Sequence, residues 1–115
     1  MKYIIPQEKL NKIVFRYLDN KLLNKLEKYK AKYYDGIVYK LPNEEFGLLG
    51  WKKPDTLYVY YELIDEISDF FSLDSVDSEE IIGKWAEDRL QIEVKKTQNF
   101  WRWLGKCAED RLQIE

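Results

Sequence analysis

Two short segments hold the residue types that hydrolytic chemistry requires. Pro54-Asp55 and, further along, Glu93-Val94-Lys95 supply two carboxylates and a lysine. Metal-dependent nucleases use such a set to hold a divalent ion and to orient the attacking water. Hard oxygen ligands suit Mg²⁺, and a metal activates water without help from histidine. The spacing is loose, because Pro54-Asp55 falls in a turn and two predicted helices separate it from Glu93. Metal-dependent cleavage therefore ranks behind two binding functions. The carboxylate pairs Glu44/Glu45, Asp65/Asp69 and Glu87/Asp88 are possible acid–base groups only in type. Asp65 and Asp69 lie one turn apart on the polar side of an amphipathic pattern, where solvated charge explains them.

The chain contains no histidine and one cysteine, Cys107. Ser-His-Asp and Cys-His machinery, His-ligated zinc and an intrachain disulfide are all excluded by count. No catalytic residue, metal site or cofactor is expected. Two other clusters suit binding. Lys21, Lys25, Lys28, Lys30, Lys32, Tyr33 and Tyr34 interleave cations with aromatic rings, the combination that contacts phosphates and stacks on bases. Lys40, Trp51, Tyr58 and Tyr60 fall in strand-like segments and would make an aromatic sheet face. Exposed, that face suits a protein partner, since such residues are enriched in binding hot spots. Covered by helices on both sides, which four or more predicted helices favour, it is core.

The elements that must position these residues follow from hydrophobic period. Leu10, Ile13, Val14, Tyr17 and Leu18 mark one face of a helix, and Leu22, Leu23, Leu26 and Tyr29 continue helical spacing to about Lys32. Lys2–Ile5 reads as a short strand before Pro6. GIVYKLP from Gly36, FGLLGW from Phe46 and TLYVYY from Thr56 read as three strands with brief turns. Alternation puts Ile37, Tyr39, Leu41, Leu57, Val59 and Tyr61 on one face and Val38, Lys40, Tyr58 and Tyr60 on the other. Leu63, Ile64, Ile67, Phe70 and Phe71 then give an apolar helical stripe. Asp77 with Glu80 predicts the start of the next helix, which carries Ile81, Ile82, Trp85, Ala86 and Leu90. Leu90–Thr97 alternates as an edge strand. The fold class is α+β: a small antiparallel sheet of three to four strands, a meander, packed with three to five helices.

The chain has 115 residues, 45% hydrophobic and 16% aromatic, with a net charge of −2. That length suits one domain, placed at residues 1–97. The segment 98–115 is a C-terminal extension, because GKWAEDRLQIE at 83–93 recurs as GKCAEDRLQIE at 105–115. Charge is uneven: residues 1–34 hold nine Lys/Arg against three Asp/Glu, and residues 35–80 hold three against twelve. No run of apolar residues reaches the roughly 18 that a membrane span needs, so a cytoplasmic protein with no membrane partner is expected. Its oligomeric state is open.

FGLLGW, TLYVYYELIDEISDFFSL and DSEEIIGKWAEDR, with the opening KYIIPQEKLNKIVFRYLD, resemble a group of short uncharacterised proteins of marine phages and environmental viral sequences. The likeness spans roughly residues 1–97. It implies a viral origin, with the host cytoplasm as the site of action, and brings no activity, cofactor or site residue with it. The expected function is a non-enzymatic protein-interaction module acting as an accessory protein. A nucleic-acid-binding accessory protein using residues 21–34 is the alternative, and the metal-dependent nuclease is the second alternative.

Overall fold

The computed structural model describes residues 7–42, 44, 47–100 and 107–111. In chain order these form α1 (Gln7–Leu22), β1 (Glu27–Ala31), β2 (Gly36–Lys40), β3 (Leu49–Lys52), β4 (Thr56–Tyr60), α2 (Tyr61–Phe71), α3 (Ser75–Leu90), β5 (Lys96–Phe100) and β6 (Cys107–Arg111). The architecture is α+β with three helices and a mixed sheet. The predicted strand at Lys2–Ile5 lies outside the described residues.

Strands β1 to β4 pair antiparallel in sequence, which is the predicted meander extended by one strand. Strand β5 then lies parallel to β4, with Leu57 opposite Thr97 and Val59 opposite Asn99. A parallel neighbour needs a long crossover, and the helix pair α2–α3 supplies it. Strand β6 joins the outer edge of β1, giving the order β5-β4-β3-β2-β1-β6. The sheet thus has six strands against the three to four expected. Its extra strands come from residues 27–31 and from the segment after Lys95. The boundary expected at residue 97 falls inside β5.

One apolar cluster joins the helices to one face of the sheet. Leu10, Val14, Leu18 and Leu22 recur every fourth residue of α1 and are buried against Tyr39, Leu49, Leu57 and Val59 of the strands. Leu63, Ile64 and Ile67 of α2 and Ile81, Ile82, Trp85 and Ala86 of α3 complete it. The predicted face assignment of β2 and β4 holds for these residues: Ile37, Tyr39, Leu57 and Val59 all turn to the helices. At Gly36 the strands approach so closely that a Cβ would collide with the Trp51 carbonyl oxygen, so only glycine fits.

Several element boundaries differ from expectation. The helical spacing that continues to about Lys32 stops being a helix at Leu22, and Asn24 takes φ 65° and turns the chain back. Glu27–Ala31 then pairs with β2, so hydrogen bonding to a neighbouring strand overrides a four-residue apolar spacing. Helix α3 starts earlier than the Asp77/Glu80 pair suggests, because Asp74 is the N-cap and its carboxylate accepts from the Asp77 amide at 2.8 Å. Its last residue is Leu90, so the predicted strand at Leu90–Thr97 gives way to a loop, and the strand begins at Lys96.

Tyr39 is buried, and its hydroxyl has no hydrogen-bond partner among the described residues. Burial disfavours the phenolate and pushes its pKa up to about 12. An unfolded tyrosine ionises near pH 10, so stability is complete below that pH and declines as pH rises toward 12. Removing an unsatisfied buried hydroxyl relieves its desolvation penalty. Tyr39→Phe is therefore expected to raise unfolding stability by up to about 1 kcal/mol, and to lessen the loss above pH 10, measured by urea unfolding at pH 7 and pH 11.

Candidate protein-interaction surface

The predicted nucleic-acid cluster does not form one patch. Lys21, in the last turn of α1, pairs with Glu66 at 3.0 Å. The Lys25 ammonium donates to the Asn20 carbonyl at 2.7 Å, closing the end of α1. Lys28 and Lys30 alternate along β1 opposite Tyr39 and Ile37, which puts them on the helix side of the sheet. Lys32 lies over the Tyr33 ring at 5.7 Å. Tyr34 turns the other way: its ring meets Tyr58 at 5.3 Å, and its hydroxyl occupies the space a Cβ on Gly50 would need.

The predicted sheet face is assembled except for one member. Lys40, Tyr58 and Tyr60 share the side away from the helices with Val38 and Gly50. The Lys40 ammonium lies 5.0 Å from the Tyr29 ring centre. Tyr60 is buried and Tyr58 half-buried, so these rings serve chiefly as packing. Trp51 is separated from them. It pairs with Leu57 and Ile37 across the ladder, packs against the core on the helix side, and donates its indole N–H to the Glu93 carbonyl at 2.9 Å. Alternation along the four-residue β3 sends it to the face opposite Gly50.

The nuclease-like segments do meet, through main chain. The Asp55 carbonyl accepts from the amides of Lys95 and Lys96 at 2.8 and 3.2 Å. The side chains are engaged elsewhere: Glu93 pairs with Lys95 at 3.6 Å, and the Asp55 carboxylate accepts from the Thr56 hydroxyl at 3.4 Å. Among the described residues, no group of three carboxylates or other ligands is placed to hold a metal.

Between α1 and α3 lies a shallow cleft of about 470 Å³, lined by Asn11, Lys12, Phe15, Arg16, Asp19 and Arg89. Its centre is a charged pin. Asp19 Oδ1 accepts from Trp85 Nε1 and Arg89 Nε, both at 2.9 Å, and Oδ2 accepts from Arg89 Nη2 at 3.2 Å. Arg89 also bonds Asp88 and stacks over Phe15 at 5.3 Å. Hydrogen bonds from Arg89 hold the Asp19 carboxyl below its ordinary range, against the opposing effect of burial and with further help from Trp85. Each group is satisfied by the others, so the cluster fastens helices together.

The feature with exposed chemistry lies at the seam of α1 and α2. Tyr17, Phe70 and Phe71 form an aromatic triad with ring centres 5.0 to 5.5 Å apart. Tyr17 donates to Glu66 at 2.6 Å, and Lys21 pairs with the same carboxylate, so the seam is fixed by polar bonds as well. Burial and the Glu66 bond raise the Tyr17 pKa to about 12. Phe70, a member of the predicted apolar stripe, is 65% exposed, and Ile13 one turn before Tyr17 is 42% exposed. At about 100° per residue, Phe70 falls between Ile67 and Glu66, at the edge of the stripe and beside its acids. Leu63, two turns earlier at nearly the same angle, is buried, so spacing alone does not mark Phe70 for exposure; its place in the last turn of α2 does.

Asp19→Asn keeps the shape of the pin but removes its charge. Because the folded carboxyl titrates below its unfolded value, its contribution is complete above the unfolded range and is lost as pH falls through the folded value. The variant is expected to be less stable by about 1–3 kcal/mol at pH 7. In urea unfolding the gap should stay constant down to about pH 5 and narrow below about pH 4. No protein-family model, curated protein or solved structure matches this chain.

Proposed function

We propose that the chain is a non-enzymatic protein-interaction module whose contact surface is the aromatic seam of α1 and α2. The observation that carries this reading is Phe70. A phenylalanine 65% exposed, stacked on Tyr17 and Phe71 and adjoined by the partly exposed Ile13, is a preformed anchor. Its ordering entropy is already spent in the free protein, and buried aromatics at the centre of an interface carry much of its energy. The sheet-face residues Lys40, Tyr58 and Tyr60 support the fold under this reading, as Trp51 does from the other side. The dispersal of Lys21, Lys25, Lys28, Lys30 and Lys32 over different partners and faces weighs against the nucleic-acid alternative. The separate engagement of Asp55, Glu93 and Lys95 weighs against the nuclease. An accessory role in a phage-infected cell, which the sequence resemblance implies, belongs to the same proposal.

The test is affinity capture from bacterial lysate, with and without nuclease, comparing the native chain with Phe70→Ser. A defined protein captured by the native chain, retained after nuclease and lost in Phe70→Ser at unchanged thermal stability, is the expected result. Nucleic acid in the eluate, lost on charge reversal at Lys28 and Lys30 but indifferent to Phe70, would overturn it.

A further inference from the structure

The cleft between α1 and α3 holds cations that the Asp19 pin does not use. Its α1 wall carries Asn11, Lys12, Phe15, Arg16 and Asp19, and α3 contributes Arg89. Lys12 and Arg16 lie one helical turn apart, which sets their Cβ atoms about 5–6 Å from each other. Both are exposed, and neither forms an ion pair among the described residues. Glu8, one turn before Lys12 and exposed, does not neutralise it. Like charges at this spacing repel, so the pair costs the helix stability.

Arg89 adds a third cation in a fixed orientation. A guanidinium has five N–H donors, and the bonds to Asp19 and Asp88 occupy three of them. One N–H on Nη1 and one on Nη2 remain unused among the described residues. The pin and the stacking over Phe15 at 5.3 Å order this group before any ligand arrives. Asp19 is the one carboxylate among the lining residues, and it is committed to Arg89 and Trp85. Three cations against one carboxylate leave a local excess of two positive charges, in a chain whose net charge is −2. A phosphate monoester carries about −1.5 to −2 charge and three strong acceptor oxygens, which matches that excess. A carboxylate carries half the charge and is satisfied by one guanidinium fork. The cleft volume of about 470 Å³ is that of a small-ligand site, and Phe15 gives it an apolar wall.

We propose that the cleft binds a small organic phosphate. The phosphate group is held by Lys12, Arg16 and the remaining N–H groups of Arg89, and the apolar part of the ligand rests against Phe15. The site is independent of the aromatic seam, since none of its lining residues belongs to the seam.

Nuclear magnetic resonance titration of the full chain with phenyl phosphate at low salt tests it. The indole N–H of Trp85, which donates to Asp19 beside the cleft, is the reporter. A saturable shift is expected within about 10 mM ligand. Phenol, which lacks the charge, and inorganic phosphate, which lacks the ring, should each bind more weakly. Lys12→Gln/Arg16→Gln is expected to weaken binding roughly tenfold, with thermal unfolding unchanged. Lys32→Gln, which removes an exposed cation elsewhere, should leave the affinity as it is. No saturable shift in that range would overturn the proposal, as would phenol binding as tightly as phenyl phosphate. Equal affinity for inorganic phosphate would overturn it in favour of an adventitious ion only. A double variant that binds like the native chain, or an equal loss in Lys32→Gln, would also overturn it.

Discussion

Trp85 is where the three layers of contact in this fold meet. Its side chain is fully buried in the cluster shared by the helices and the sheet, and the one polar atom it carries is bonded to Asp19 of α1. Burying an indole without a partner for its N–H would forfeit a hydrogen bond, and Asp19 prevents that. Asp19 in turn would be a costly half-buried charge without Arg89, one turn further along α3. Helix α1 is therefore positioned by a network whose members are each unfavourable alone. Because α1 is set in this way, Tyr17 and Lys21 reach α2, and the seam between the two helices acquires its shape.

The same constraint explains why one peptide takes two structures. Ala-Glu-Asp-Arg is helical at 86–89 and extended at 108–111. Local propensity is identical in the two copies and decides neither. What differs is the residue before them: Trp85 anchors the first copy in the core, while the second has Cys107 and pairs with β1. A short helix in water is marginal without tertiary packing, so the copy without the anchor is free to complete a sheet edge instead.

The legible parts of the fold are those where period and burial agree. The stripes of α1, α2 and α3 and the alternation in β2 and β4 all meet this condition, and the core contains Leu10, Val14, Leu57, Val59, Ile64 and Ile82 as a result. The illegible parts are set by partners distant in sequence. Residues 27–31 have the spacing of a helix but the neighbour of a strand, and no pattern within the segment reports the neighbour. The parallel pairing of β5 depends on where a two-helix crossover returns the chain. For the site, alternation groups the sheet-face residues Lys40, Tyr58 and Tyr60 correctly, yet their exposure depends on Tyr34 and other rings arriving from elsewhere. Trp51 leaves that face once alternation is followed through Gly50 of its own strand.

The split of charge along the chain gains its meaning only in three dimensions. A basic first third and an acidic middle could have formed opposite poles of the molecule, giving a dipole and little specificity. Instead the packing of α1 beside α2 joins one charge of each sign, Lys21 and Glu66, at an aromatic seam. The pair closes the seam from within and neutralises one charge of each sign. The aromatic rings supply attraction without direction, while the ion pair supplies direction with little net energy in water. An ion pair beside stacked rings favours one packing of the two helices over alternatives that would separate its charges.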